Sequence, residues 1–169
     1  KTTFATQFIF EGLRVGETVV VAVFEEYPED YLARTRARGH DIEEAMASDM
    51  LRLIYLRPLD LSVDETLAEI LDAVADIGAS RVVIDSLSGF EIALAPSFRE
   101  DFKESLYRLV GALTATGVTV FMTAEIVGGG PDMRVTTEKV SFITDDIIVQ
   151  GFVEIGGEPD GTYTFLTRA

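Results

Sequence analysis

Cysteine is absent from this 169-residue chain, and histidine occurs once, at His40. The first absence excludes a disulfide scaffold or a thiolate metal site. The second leaves no imidazole cluster for zinc and no ready Ser-His-Asp triad. Apolar runs fall short of the roughly eighteen residues that a membrane span requires, and no signal-peptide pattern opens the chain. The expected compartment is the cytoplasm. Positive charge is also scarce: 14 Lys and Arg stand against 29 Asp and Glu, a formal charge of −15. That balance argues against a broad nucleic-acid or anionic-membrane surface, yet it leaves room for a local phosphate site. At this length one domain with a single sizeable core is expected, burying roughly 70 % of the surface of the unfolded chain.

What the chain does contain is an alternation of strand-like and helix-like stretches. TVVVAVF (18–24), LRLIYL (51–56), RVVIDS (81–86), VTVFMT (118–123) and DIIVQGFVEI (146–155) are short and rich in β-branched or aromatic residues. Several are apolar on both faces, the mark of parallel strands sandwiched by helices. Between them, Pro28 lies just inside a helix start with Gly39 beyond its end, and Ser62 with Glu65 forms a capping box for a helix closing at Gly78. A third helix is predicted over 97–116, where Phe98, Phe102, Leu106, Leu109, Val110 and Leu113 make a core-facing stripe ahead of Gly117. The pattern is that of a doubly wound α/β domain. GGGPDMR (128–134) reads as a mobile loop, and GGEPDG (156–161) as a hairpin or a place where residues are missing.

The opening, KTTFATQFIFEG, adds a helix: Phe4, Ala5, Phe8 and Ile9 share one face, and Gly12 sits where the helix could end. Its first turn has no acidic residue, and Lys1 carries the wrong sign for the positive end of a helix dipole. A helix that starts Lys-Thr-Thr ahead of such a fold is what remains when a phosphate-binding loop, G-x-x-x-x-G-K-[ST], is cut after its last glycine. Lys1 would then reach phosphate, and the Thr2 hydroxyl would bind magnesium. A surface lysine before a polar first turn is the plainer reading, so the other strand ends must carry the case. RVVIDS ends in Asp85, the form of a strand that orders magnesium and its waters. VAVFEEYPED places Glu25 and Glu26 at the end of the strand after the opening helix, on the sheet edge where open α/β sheets bind ligands. A carboxylate there can activate the attacking water.

In the order KTTFATQFIFEG, VVVAVFEEYPED, RVVIDSLSGF, VTVFMTAEI and ITDDIIVQGFVEI, the chain resembles the KaiC-type ATPases, the circadian-clock branch of the RecA-like P-loop superfamily. The resemblance runs from Lys1 to about Ile155. It implies a three-layer α/β/α RecA-like P-loop NTPase core with a mainly parallel sheet, and ATP with Mg2+ bound between protomers of a homo-oligomer, often a hexameric ring. It also implies slow hydrolysis used for signalling through an unknown protein partner. Lys1, Thr2 and Thr3 match the nucleotide-binding end of the loop, Thr2 and Asp85 the metal ligands, and Glu25 and Glu26 the adjacent catalytic glutamates. Ser86, Thr123 and Glu125 would stand one layer further out.

Departures qualify the match. The glycine-rich stretch before Lys1 is not in the sequence, which is expected if it is disordered without nucleotide, and a gap near Gly157 would explain the lost basic segment, of which Arg168 alone remains. The clock protein's phosphorylated Ser-Thr pair aligns with Ser141 and Phe142, so an autokinase cycle is not expected. Thr123 and Glu125 fit a γ-phosphate sensor or an ordinary strand end. RTRARG (34–39) fits a patch that docks an acidic neighbour or supplies an arginine finger, or else cations favoured by a helix C-terminus. Two alternatives stay open: a nucleotide-binding regulatory module without efficient hydrolysis, and a DNA-dependent ATPase of the same superfamily.

Overall fold

The computed structural model describes residues 1–56, 62–93, 102–125, 143–155 and 158–168, of which those after Gly151, except Thr164, are described by their backbone. They fall into two compact units, Lys1–Ala124 and Glu125–Ala169. In the first, the elements run α1 (Thr2–Arg14), β1 (Val19–Val23), α2 (Pro28–Ala37), α3 (Glu43–Ala47), β2 (Leu51–Tyr55), α4 (Val63–Ile77), β3 (Arg81–Asp85), α5 (Leu87–Ala93), α6 (Phe102–Ala115) and β4 (Thr119–Met122). The four strands make one parallel sheet in the order β2-β1-β3-β4.

Register and pleat decide which residues meet which helices. Val21 lies between Leu53 and Val83, and Val23 between Tyr55 and Asp85, so each row shares a face of the sheet. Val19, Val21 and Val23 with Leu51 and Val83 form a core with Ala5 and Ile9 of α1, Tyr31 of α2, and Ile42. The opposite face is covered by α4, packed on β1 and β2, and by α6, packed on β4 and α4. The chain steps one way from β1 to β2 and the other way through β3 to β4, so right-handed crossovers put the two sets of helices on opposite faces. The result is the expected three-layer α/β/α arrangement. It explains why β1 is apolar throughout: every one of its residues is buried.

The capping box at the start of α4 is present: the Glu65 amide donates to Ser62 Oγ at 3.2 Å, and the Ser62 amide donates to Glu65 Oε2 at 2.8 Å. The helix stops at Gly78 in a left-handed conformation. One expected boundary is wrong. Gly12 does not end α1 but is buried inside it, because a Cβ there would sit 2.7 Å from Cδ of Arg81. That arginine donates from Nε to Glu17 Oε2 at 2.5 Å and from Nη1 to the Phe8 carbonyl at 2.9 Å, so its stem is pinned across the helix. The glycine marks a close approach, not a stop.

In the second unit, β5 (Asp146–Ile155) and β6 (Glu158–Arg168) pair antiparallel, with a register shift between Val153 and Glu154. Ile155 pairs with Glu158, so the two strands form a hairpin at GGEPDG; residues 156 and 157, where a gap was expected, lie outside the described residues. So do the first residues predicted for the third helix (97–101), the loop 128–134, and Ser141 with Phe142. Among the described residues, no helix is long and apolar enough to cross a membrane.

Candidate functional site

Three chain segments of the first unit converge at the carboxyl edge of its sheet. The first is the head of α1, a 13-residue helix with no side-chain cap and no acidic residue in its first turn. The Phe4 and Ala5 amides donate to the Lys1 carbonyl at 3.0 and 3.2 Å, so the Thr2 and Thr3 amides precede the first helical bond. Lys1 and Thr3 are exposed and Thr2 is half-buried. This is a positive helix end suited to an anion.

The second segment is the end of β3. Asp85 shares a face with α1 because it follows Val83 by two residues on that face of the strand. Thr2 Oγ1 donates to Asp85 Oδ1 at 3.4 Å, a long bond, while Thr123 Oγ1 donates to the same oxygen at 2.5 Å. Thr123 is buried just past β4, where its amide donates to the Ile84 carbonyl at 3.0 Å and its carbonyl accepts from Leu87 at 2.8 Å. Its hydroxyl is thus held against the carboxylate from the neighbouring strand. Ser86 is buried, and its Oγ accepts from the Gly89 amide at 3.1 Å, which commits it to the first turn of α5. Glu125 is exposed and falls in the second unit.

The third segment is the exit of β1, where the twin glutamates part. Glu25 is exposed, with its side chain lying over Gly89: a Cβ added there would be 2.9 Å from Glu25 Cγ. It makes no hydrogen bond or ion pair among the described residues. Glu26 is half-buried and gripped by Arg34 of α2, whose Nε and Nη2 donate to its two carboxylate oxygens at 3.0 and 2.5 Å. That grip holds the Arg34 guanidinium more firmly charged than usual, chiefly through the hydrogen bond to Glu26. Beneath it lies Tyr31, fully buried, with the Arg34 guanidinium carbon 4.8 Å from its ring centroid. Burial, and then the Asp85 carboxylate, push the Tyr31 hydroxyl well above the ordinary phenol range.

Thr2, Glu25, Glu26, Asp85, Ser86 and Thr123 therefore belong to one compact unit, and Thr2 and Thr123 meet on a single oxygen of Asp85. Tyr31 was not singled out for the site, and Arg34 only as the first residue of RTRARG. The available signal was their i, i+3 spacing on a helix that follows the acidic pair directly. As one reading of RTRARG expected, Arg34 and Arg36 stand in the last turn of α2, where the helix dipole favours cations; Arg34 also folds back on Glu26, and Arg36 pairs with Glu43.

The sequence model of the KaiC ATPase family matches residues 1–163. Among individual relatives, "Circadian clock protein KaiC3" of Synechocystis sp. is 29% identical over 159 residues, covering 94% of this chain and 31% of that protein. "Circadian clock oscillator protein KaiC" of Thermosynechococcus vestitus is 28% identical over 158 residues, covering 94% and 30%. The chain thus spans about a third of the length of these relatives. In three dimensions it is similar to a KaiC-like protein of the hyperthermophilic archaeon Pyrococcus horikoshii OT3, with a TM-score of 0.83 and 29% identity over 99% of this chain and 72% of the other.

Proposed function

Because this chain belongs to the KaiC ATPase family, we propose that it binds ATP with Mg2+ at the edge formed by α1, β1 and β3 and hydrolyses it slowly. The observation that carries this reading is the meeting of Thr2 and Asp85, 83 residues apart in sequence, at 3.4 Å. Their donor set is small and made only of oxygen, and among the described residues no cluster of three or more His, Cys, Asp or Glu could hold a metal. That chemistry fits magnesium, which keeps water and phosphate oxygens in its shell instead of demanding a cage of protein ligands. When bound, the ion supplies charge neutralisation at the transferring phosphoryl group.

The chain's own residues divide the remaining work. Lys1 and the Thr2 and Thr3 amides hold phosphate at the head of α1. Thr123 fixes the Asp85 oxygen that faces Thr2. Glu26 is spent on Arg34, so Glu25 is the carboxylate that orients and polarises water. The nucleotide lies at a protomer interface in a homo-oligomer, a hexameric ring in the family's manner. The output is a regulatory signal passed to a protein partner in the cytoplasm.

The test is ATP turnover by the full-length protein over a range of protein concentrations, beside Lys1→Ala and Glu25→Gln. Turnover lost by both variants and rising per protomer with concentration is the expected result. Tight ATP binding without turnover would favour a regulatory module, and no binding would reject a nucleotide site.

A further inference from the structure

The twin glutamates are adjacent in sequence but unequal in the structure, and the difference is made by one side chain. Arg34 lies eight residues after Glu26 and meets it in a two-toothed fork. This geometry is available to a planar guanidinium and not to an ammonium. The pair is partly shielded, at 24% and 32% side-chain exposure, so solvent screens it less than an ordinary surface pair. Its seat is built: the guanidinium rests on the ring of a wholly buried tyrosine. Arg34 Nη1 and the Tyr31 hydroxyl are both buried without a hydrogen-bond partner among the described residues. Leaving two buried polar atoms unpaired carries a cost, which sets this cluster apart from incidental surface ion pairs.

We propose that Arg34 is a positioning residue of the hydrolytic site: by holding Glu26 on the Tyr31 platform, it fixes the backbone leaving β1 and leaves Glu25, over Gly89, as the uncommitted carboxylate. This rests on the ATPase reading above. Glu25 and Glu26 are consecutive, so a clamp on the second limits the excursions of the first. A small misplacement of a water-orienting group has a large kinetic effect.

The experiment uses the full-length protein and measures ATP turnover and, separately, nucleotide affinity for wild type, Arg34→Met, Arg34→Lys, Glu26→Gln and the Arg34→Met/Glu26→Gln double variant. Methionine keeps an apolar stem on the tyrosine ring, so the fold is retained while the fork is lost. Arg34→Met is expected to lower kcat by about tenfold with KM and affinity nearly unchanged, the signature of an interaction used in the chemical step. Arg34→Lys should restore part of that loss, and the double variant should be no slower than Arg34→Met alone, since both changes remove one interaction. A wild-type kcat in Arg34→Met, strictly additive losses, or a parallel fall of affinity and melting temperature would overturn the proposal. If wild type binds ATP but never hydrolyses it, the ATPase reading fails and takes the role of Arg34 with it. If wild type hydrolyses and Arg34→Met matches it, only the positioning role fails.

Discussion

Two threonine hydroxyls address one oxygen of Asp85, and they have different parts. Thr123 is buried and close, at 2.5 Å, whereas Thr2 is half-buried and distant, at 3.4 Å. The first therefore holds the carboxylate in place, and the second is free to turn toward a ligand. Changing Thr123→Val preserves shape but removes the donor. If Asp85 ligates magnesium as proposed, losing this outer partner is expected to raise the magnesium concentration for half-maximal turnover by roughly tenfold or more. The cost to global stability should be only about 1 kcal/mol. Titration of turnover with Mg2+, alongside urea denaturation, checks both; an unchanged magnesium requirement would mean that Asp85 stands without Thr123. At this scale, Thr2, Asp85 and the glutamate pair were legible because each occupies a helix start or strand end, positions that the α/β alternation brings to one edge. Thr123 was ambiguous, since a strand-end hydroxyl declares no partner until a neighbouring strand supplies one. The pairing of Arg34 with Tyr31 and Glu26 left only a faint i, i+3 signal for the same reason, because a cation folded onto a buried ring reads in sequence as one more charge on a helix.

Among the elements, α4 makes the plainest link from local sequence to stability. The Ser62 hydroxyl takes the Glu65 amide, and the Glu65 carboxylate takes the Ser62 amide, so two helix-end donors are satisfied reciprocally. Ser62→Ala is expected to cost about 1 kcal/mol in urea denaturation at neutral pH. The Glu65 half adds a pH dependence whose sign follows from its pKa. Hydrogen bonds from the Ser62 backbone first, and its side chain second, hold the Glu65 carboxyl below its ordinary value of 4.5. A carboxyl depressed in the folded state stabilises fully above its unfolded pKa and loses that contribution as pH falls through its folded pKa. Wild type should therefore lose its advantage over Glu65→Gln on acidification, and a difference constant with pH would remove Glu65 from the account. Strands and long helices were legible because period and punctuation agreed, as at Ser62 and Gly78. The two short helices, α3 and α5, lack the length for a period to show. Gly12 misled for a physical reason: a glycine that admits the stem of Arg81 is indistinguishable in sequence from one that ends a helix.

For the whole molecule, the net charge of −15 bears directly on how a site shared between copies could assemble. Like-charged protomers repel, and at low ionic strength the repulsion reaches far beyond contact. At physiological salt the screening length is about 8 Å, so only charges near an interface still oppose association. If a neighbour completes the site, per-protomer turnover at saturating ATP and fixed protein concentration should rise as salt is added from low to physiological levels. The rise should track the oligomeric fraction seen by light scattering. Saturating ATP matters, because screening also helps an anionic nucleotide approach an acidic protein, and saturation removes that contribution from the rate. A protomer whose site is complete by itself would show a flat profile. The same charge makes the opposite demand of a DNA-dependent ATPase, whose binding to single strands weakens with salt because the release of counterions becomes less favourable. Turnover stimulated by single-stranded DNA and suppressed by salt would therefore identify a basic groove strong enough to overcome fifteen excess negative charges. A rise with salt and no response to DNA is what an acidic, self-assembling ATPase requires.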